Sequence, residues 1–255
     1  MSREFNMDRR AYLKTVGVVG VSAAVAGCQG GSTDTIVPGT ASGFPPFEFT
    51  ENDELVGFDI DLAEAVIDEA GYEQGEWVDI EFDSLIPSLT NEDIDLVAAM
   101  TITEERAEQI AFSDPYYESN QAVLVADGSD FDPDEESDLE GRVVGAQSGT
   151  TGEGEVERLI EEGVVDDGDY RQYDNYTLAV QDLENGNVDA IVVDIPVAEN
   201  FADGREVSIA FVIETGEEFG LGMRQEDDRI GDINDALAEV QDDGTYDELV
   251  KTYFE

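Results

Sequence analysis

The chain reads as an α/β protein of two lobes, and three features of the sequence predict it. Apolar runs of strand length alternate with amphipathic helical stretches, as in successive βαβ units. One pattern recurs: a shift of 94 residues lays Leu89, Asn91, Ile94, Asp95, Leu96 and Val97 on Leu183, Asn185, Val188, Asp189, Ala190 and Ile191. The length of 255 residues, 41% hydrophobic with 25 Gly besides, suffices for two cored lobes.

The elements follow in order. Residues 29–34 form a Gly/Ser-rich tether. Residues 59–70 put Ala63, Val66, Ile67 and Ala70 on one helical face, with Gly71 past the end. Residues 78–82 alternate as a strand, and 94–99 form an apolar run suited to a parallel strand covered on both faces. Strands are expected at 121–126, 143–146, 188–193, 207–213 and 219–223. Residues 175–184 read as a helix stopped by Gly186, and 227–254 as two helices broken at Gly244. The recurring strands end at Thr101 and Asp194. Ligands of open α/β sheets sit beyond carboxyl strand ends, so these two residues are candidates to face one ligand.

Composition narrows the function. The chain carries 12 basic and 63 acidic residues, a formal charge of −51. Nucleic acid is a poor partner, because counterion release needs clustered Lys and Arg. With no His, the commonest general base and metal ligand is missing, and one Cys forms neither an internal disulfide nor a thiolate zinc cluster. No cofactor and no metal are expected. The acidic coat suits a salt-rich medium, where a Debye length of about 3 Å at 1 M screens its self-repulsion.

The N-terminus looks like an address. Arg9-Arg10 precedes a mild apolar stretch, Thr15 to Ala26, too short to span a bilayer. The segment resembles a twin-arginine export signal. Val25-Ala26-Gly27-Cys28 looks like a lipobox, which implies removal of residues 1–27 and a lipid on Cys28.

Three segments carry chemistry. Thr103 can cap a helix whose first turn holds Glu104, Glu105 and Arg106. Arg106 is either a bidentate clamp for a carboxylate or a surface Arg paired with Glu104, Glu105 or Glu108. Residues 145–152, Gly-Ala-Gln-Ser-Gly-Thr-Thr-Gly, lie between a strand and a helix and suit either an anion cradle or a capped helix start. Phe44 and Phe58 sit beside turns, as core residues or as walls gripping an aliphatic chain.

Taken in order, Gly39-Thr40, Phe44-Pro45-Pro46-Phe47-Glu48-Phe49, Gly57-Phe58-Asp59-Ile60-Asp61-Leu62, Met100 to Arg106, Phe112 to Tyr117, Gly149-Thr150-Thr151-Gly152, Val192-Val193-Asp194 and Asp243-Gly244-Thr245-Tyr246 resemble the extracytoplasmic solute-binding proteins of polar amino acid ABC importers, family 3. The resemblance covers about residues 35–255. It implies a periplasmic-binding-protein-like, type II fold, with lobe 1 at 33–117 plus 218–255, lobe 2 at 118–217, and hinges near 118–120 and 215–218. It implies an amino acid ligand, an ABC permease as partner, a monomer and a cell-surface location. Arg106 would clamp the α-carboxylate, helped by backbone N–H groups near Thr101 and Thr151 and by the Thr101 hydroxyl, and Thr150 would also contact the ligand. Asp194 would take the α-ammonium, Phe44 and Phe58 would sandwich the side chain, Ala99 would line the site, and Gln147 would read the far end. Many members carry an Asp at the position of Ala41, contacting a polar or cationic side chain. Its absence argues against a lysine- or arginine-type ligand and against a glutamine ligand carried over from the family. No enzymatic activity is expected. The alternatives are a cyclohexadienyl dehydratase-like enzyme, for which no acid or base stands out, and a sensory ectodomain.

Overall fold

A computed structural model describes residues 35–255; the segments read above as an export signal, a lipidation site at Cys28 and a tether lie outside the described residues. The chain opens with β1 (Thr35–Ile36) and β2 (Pro38–Thr40), then a hairpin of β3 (Phe49–Glu51) and β4 (Glu54–Val56), then helix α1 (Phe58–Glu69). Short strands β5 (Glu73–Gln74) and β6 (Val78–Asp79) pair parallel with β1 and β2. Helix α2 (Leu85–Thr90) leads into the buried strand β7 (Leu96–Thr101), followed by α3 (Glu104–Ala107) and β8 (Ile110–Phe112). The long strand β9 (Tyr117–Ala126) carries the chain into a second set: β10 (Val144–Gln147), α4 (Thr151–Glu161), β11 (Tyr170–Tyr173), α5 (Tyr176–Glu184), β12 (Ala190–Asp194) and α6 (Ile195–Gly204). Strand β13 (Val207–Arg224) returns it, and α7 (Ile230–Asp242) and α8 (Thr245–Phe254) complete the chain.

The repeat read in the sequence is built in matching bonds. Asp95 accepts from the Val37 amide at 3.0 Å and Asp189 from the Val143 amide at 2.8 Å. In return the Asp95 and Asp189 amides donate to the Val37 and Val143 carbonyls, both at 2.7 Å. The preceding helices also end alike, with left-handed residues Glu92 (φ 66°) and Gly186 (φ 72°). In each case the next amide, of Asp93 or Asn187, reaches back to the carbonyl of Ser88 or Asp182. Each Asp thus ties an incoming strand to its parallel neighbour.

Two lobes result, sharing one sheet in the order β11-β10-β12-β9-β13-β7-β2-β6. The crossings differ from expectation: instead of linkers between separate strands, β9 and β13 run unbroken from lobe to lobe. Their pairing slips between Ile213–Gln121 and Glu217–Ser119, so that residues 214–216 face the single Asn120. The Asn120 side chain fills the gap. Its oxygen accepts from the Thr215 and Gly216 amides at 2.9 and 2.7 Å, and its amide donates to Glu214 at 3.0 Å. Gly216 supplies the positive φ, 63°, that this bulge needs.

A second difference places a site residue. Residues 78–82 were expected to continue as a strand, but β2 ends at Thr40, and the Ile80 amide makes the last bond to it. With no neighbour left, the chain turns, and Phe82 opens a 3-10 turn, Phe82–Ser84. Among the described residues no helix is long and apolar enough to cross a membrane.

Candidate functional site

The carboxyl ends of β7 and β12 face each other across a cavity lined by Ala41, Phe44, Glu48, Phe82, Ala99, Thr101, Arg106, Gln147, Thr150, Thr151, Asp194 and Phe219. Eight of the nine ligand-contact residues expected from the sequence are brought together here; Phe58 is the exception.

Arg106 sits in the first turn of α3, whose N-cap Thr103 accepts from the Arg106 amide at 3.2 Å. Its side chain turns inward, and the residue is only 8% exposed. The guanidinium donates to the Thr101 carbonyl at 2.8 Å and, across the lobes, to the Gly149 carbonyl at 2.9 Å, and lies 5.2 Å over the Phe82 ring. Among the described residues no carboxylate pairs with it, in contrast to Arg158, Arg224 and Arg229. Burial lowers its pKa, while Glu217 and Asp194 oppose that shift. A guanidinium has five N–H donors and matches a carboxylate through two parallel bonds, so this buried one has the chemistry to receive a carboxylate.

Asp194 ends β12 and is 3% exposed, with one carboxylate oxygen buried and unpartnered. Burial, then the charge of Glu217, pushes its pKa up to about 8, against the Gln121 amide and Arg106. Glu217, which sequence reasoning missed, stands at the β13 crossing. It accepts from Thr151 Oγ1 at 2.8 Å, from Thr101 Oγ1 at 3.4 Å and from the Gln121 amide at 3.1 Å, so one hinge carboxylate touches both lobes. The Thr150 hydroxyl caps α4, accepting from the Glu153 amide at 3.2 Å.

The first turn of α4 needs Gly152. A Cβ on Gly152 would stand 2.6 Å from Tyr176 Oη and 2.8 Å from the Val192 carbonyl. Gly152→Ala must therefore lift α4 off β12. We expect a loss of about 1–3 kcal/mol of stability, read by thermal unfolding; an unchanged Tm would contradict this packing.

The walls correct the sequence reading. Phe58 is fully buried at the start of α1, among Phe47, Tyr117, Tyr246 and Phe254, and does not line the cavity. Phe44 does line it, stacked 5.5 Å from Phe47 and facing Tyr176 of lobe 2 at 5.8 Å. The wall expected from Phe58 is supplied instead by Phe82 and Phe219, neither singled out from the sequence.

Glu48 is the most consequential omission. Phe44 and Glu48 form an antiparallel bridge across the Pro45-Pro46 turn, which sends both side chains to one side, into the cavity. Glu48 is 2% exposed, and its Oε2 has no partner. Burial first, then Asp59, Asp79 and Asp194, hold its carboxyl well above the usual range. The departure at Ala41 therefore does not leave the cavity without an acid. Among the described residues no cluster of three or more Asp, Glu, His or Cys is placed to hold a metal ion.

Known proteins share this architecture. Among curated relatives, a probable histidine-binding protein of Campylobacter jejuni is 34% identical over 230 residues, covering 88% of this chain and 87% of its own. The arginine-binding extracellular protein ArtP of Bacillus subtilis is 32% identical over 245 residues, covering 94% and 93%. Among solved structures, an ancestral arginine-binding protein bound to arginine matches with a TM-score of 0.80 at 40% identity, covering 87% of this chain and 98% of that one. One bound to glutamine matches at 0.79 and 40%, covering 86% and 97%. Residues 36–255 match the family model as well, and with the two lobes and shared sheet they establish that the chain belongs to the bacterial extracellular solute-binding proteins, family 3.

Proposed function

We propose that the protein captures an amino acid with a cationic side chain, L-arginine fitting best, between its lobes and delivers it to the permease of an ABC importer. The observation that carries this reading is the buried carboxyl of Glu48 in the cavity wall, whose Oε2 has no partner. The cavity offers one cation, Arg106, and two anions, Asp194 and Glu48. An arginine offers one carboxylate and two cations, so each buried charge finds a partner. Arg106 takes the α-carboxylate, with Thr101 and Thr151 beside it; Asp194 takes the ammonium; Glu48 takes the guanidinium; Phe44, Phe82 and Phe219 wall the methylenes. Relatives named as arginine- and histidine-binding proteins support this reading.

A second reading is glutamine, favoured by the glutamine-bound structural relative. It needs Glu48 protonated, as a donor to the amide oxygen. A thermal-shift panel in molar salt separates the two, since a ligand bound only by the native state raises Tm. Arginine, lysine and histidine are expected to shift Tm more than glutamine does. A shift confined to glutamine selects the second reading, and no shift with any amino acid removes both.

The buried acids make ligand-free stability depend on pH. Asp59, pushed to about 7 chiefly by burial, Asp194, at about 8, and Glu48 hold protons more tightly folded than unfolded. Stability contributed at low pH is lost as pH rises from about 4, the unfolded range, through 7 and 8. Ligand-free Tm should fall across that window, and bound arginine should flatten the fall. A ligand-free Tm that rises from pH 5 to 8 would contradict the burial of these groups.

The further parts of the reading concern the whole chain. Residues 33–117 with 218–255 and residues 118–217 move as two bodies, closing when one ligand satisfies Arg106 and Asp194 from opposite sides. The ligand leaves chemically unchanged. Residues 1–27 direct export by the twin-arginine route, a lipid on Cys28 tethers the monomer outside the membrane, and the acidic coat keeps it soluble in concentrated salt.

A further inference from the structure

The floor of the cavity contains a backbone defect with a dedicated support. Between Gly220–Met100 and Gly222–Val97, two residues of β7, Ala98 and Ala99, face the single Leu221 of β13. This is a β-bulge, and its second residue, Ala99, has φ 51°. An alanine in the left-handed region is strained and stays there only if its surroundings hold it. Bulges take main-chain groups out of the ladder and redirect them. Here the bulge sets Ala99 into the cavity wall.

The support is a two-residue relay. The Ala99 amide donates to Tyr116 Oη at 3.2 Å, and Tyr116 Oη donates to Asp59 Oδ2 at 2.7 Å. Asp59 is fully buried in the first turn of α1, and Tyr116 is 4% exposed. The main chain of Tyr116 is pinned independently: its amide donates to the Phe219 carbonyl at 2.9 Å, and its carbonyl accepts from Tyr246 Oη at 2.6 Å. Its ring packs 6.3 Å from Phe58. Fold and ring position therefore do not need the hydroxyl, whose bonds run to the bulge and to Asp59.

We propose that Asp59 and Tyr116 are positioning residues for ligand capture, holding the Ala99 bulge in its left-handed conformation so that the cavity wall it forms keeps the shape the ligand meets. Asp59 polarises the Tyr116 hydroxyl, and the hydroxyl anchors the amide that a regular strand would return to the ladder. Neither residue touches the ligand. The inference rests on the proposed binding of an amino acid zwitterion in this cavity.

The test is a double-mutant cycle with L-arginine as the probe, titrated by calorimetry in molar salt. Tyr116→Phe is expected to weaken binding about tenfold with a folded protein, and Asp59→Asn similarly. In an Ala99→Gly background, where glycine takes positive φ without strain, Tyr116→Phe should cost less than threefold. Wild-type affinity in Tyr116→Phe, or an equal loss in both backgrounds, would overturn the proposal. Thermal unfolding of the same four proteins needs no ligand and should show the same rescue: a Tm loss from Tyr116→Phe that shrinks once residue 99 is glycine. Equal Tm losses in both backgrounds would likewise overturn it. If Tyr116→Phe behaves as wild type while wild type binds arginine, only this inference fails. If wild type binds no amino acid, the proposed function fails, and the unfolding cycle alone decides the bulge.

Discussion

Replacing Arg106 with Ala should abolish amino acid binding while leaving a folded protein. The substitution removes a guanidinium held between the Thr101 and Gly149 carbonyls with no carboxylate of its own. It would leave the ligand's carboxylate buried without a partner, a loss of about 3–5 kcal/mol, or roughly a few hundredfold or more in Kd. The fold should persist, because Arg106 belongs to none of the ion pairs that knit the surface, such as Asp95 and Asp227 with Arg224 and Arg229. Arg106→Lys should recover little, since an ammonium cannot make the two parallel bonds of the guanidinium fork. Calorimetry of a variant with an unaltered melting curve decides it; retained affinity would show that the carboxylate sits elsewhere.

Glu48→Gln should change which amino acid binds. It preserves size and removes the charge that a guanidinium would meet. Arginine affinity should fall by about 2–5 kcal/mol, the range for truncating one side of a buried charge pair. Glutamine, now facing an amide, should lose little. The ligand-free variant should melt above wild type at pH 8, where wild-type Glu48 faces ionisation in a buried site, and the difference should shrink toward pH 5. A variant that binds arginine as wild type does would remove Glu48 from the site.

Much of the architecture was legible because it is written in local patterns. The continuous apolar strands, the helices flanked by Gly71, Gly186 and Gly244, and the Asp95–Asp189 repeat all depend on neighbours in sequence. The site residues at carboxyl strand ends, Thr101 and Asp194, followed from topology, and Arg106 from its place one turn past Thr101.

What escaped depends on tertiary context. Phe58 and Phe82 are both aromatics beside turns, and the sequence does not say which ring faces the core. The short length of β2 decides it, by releasing the chain before Phe82. Glu48 and Glu217 gave no compositional signal, because among 63 acidic residues a functional carboxylate resembles its neighbours. Only burial without a cationic partner sets Glu48 apart. The hinge was read as linkers because Glu214 to Glu218 is polar and contains Gly216. The structure keeps it within β13, because Asn120 satisfies the bulge that the sequence placed in a loop.

The central claim is that one amino acid fills the cavity, its carboxylate on Arg106 and its two cations on Asp194 and Glu48. The most direct measurement is a calorimetric titration with L-arginine at pH 7 in molar salt, repeated in two buffers of different ionisation enthalpy. Asp194, pushed up to about 8 chiefly by burial, holds a proton in the empty cavity at pH 7 and must ionise to meet the ligand's ammonium; burial shifts Glu48 in the same direction. The expected result is one site per chain with net proton release to the buffer. No binding, or one-to-one binding with no proton released, would contradict the account.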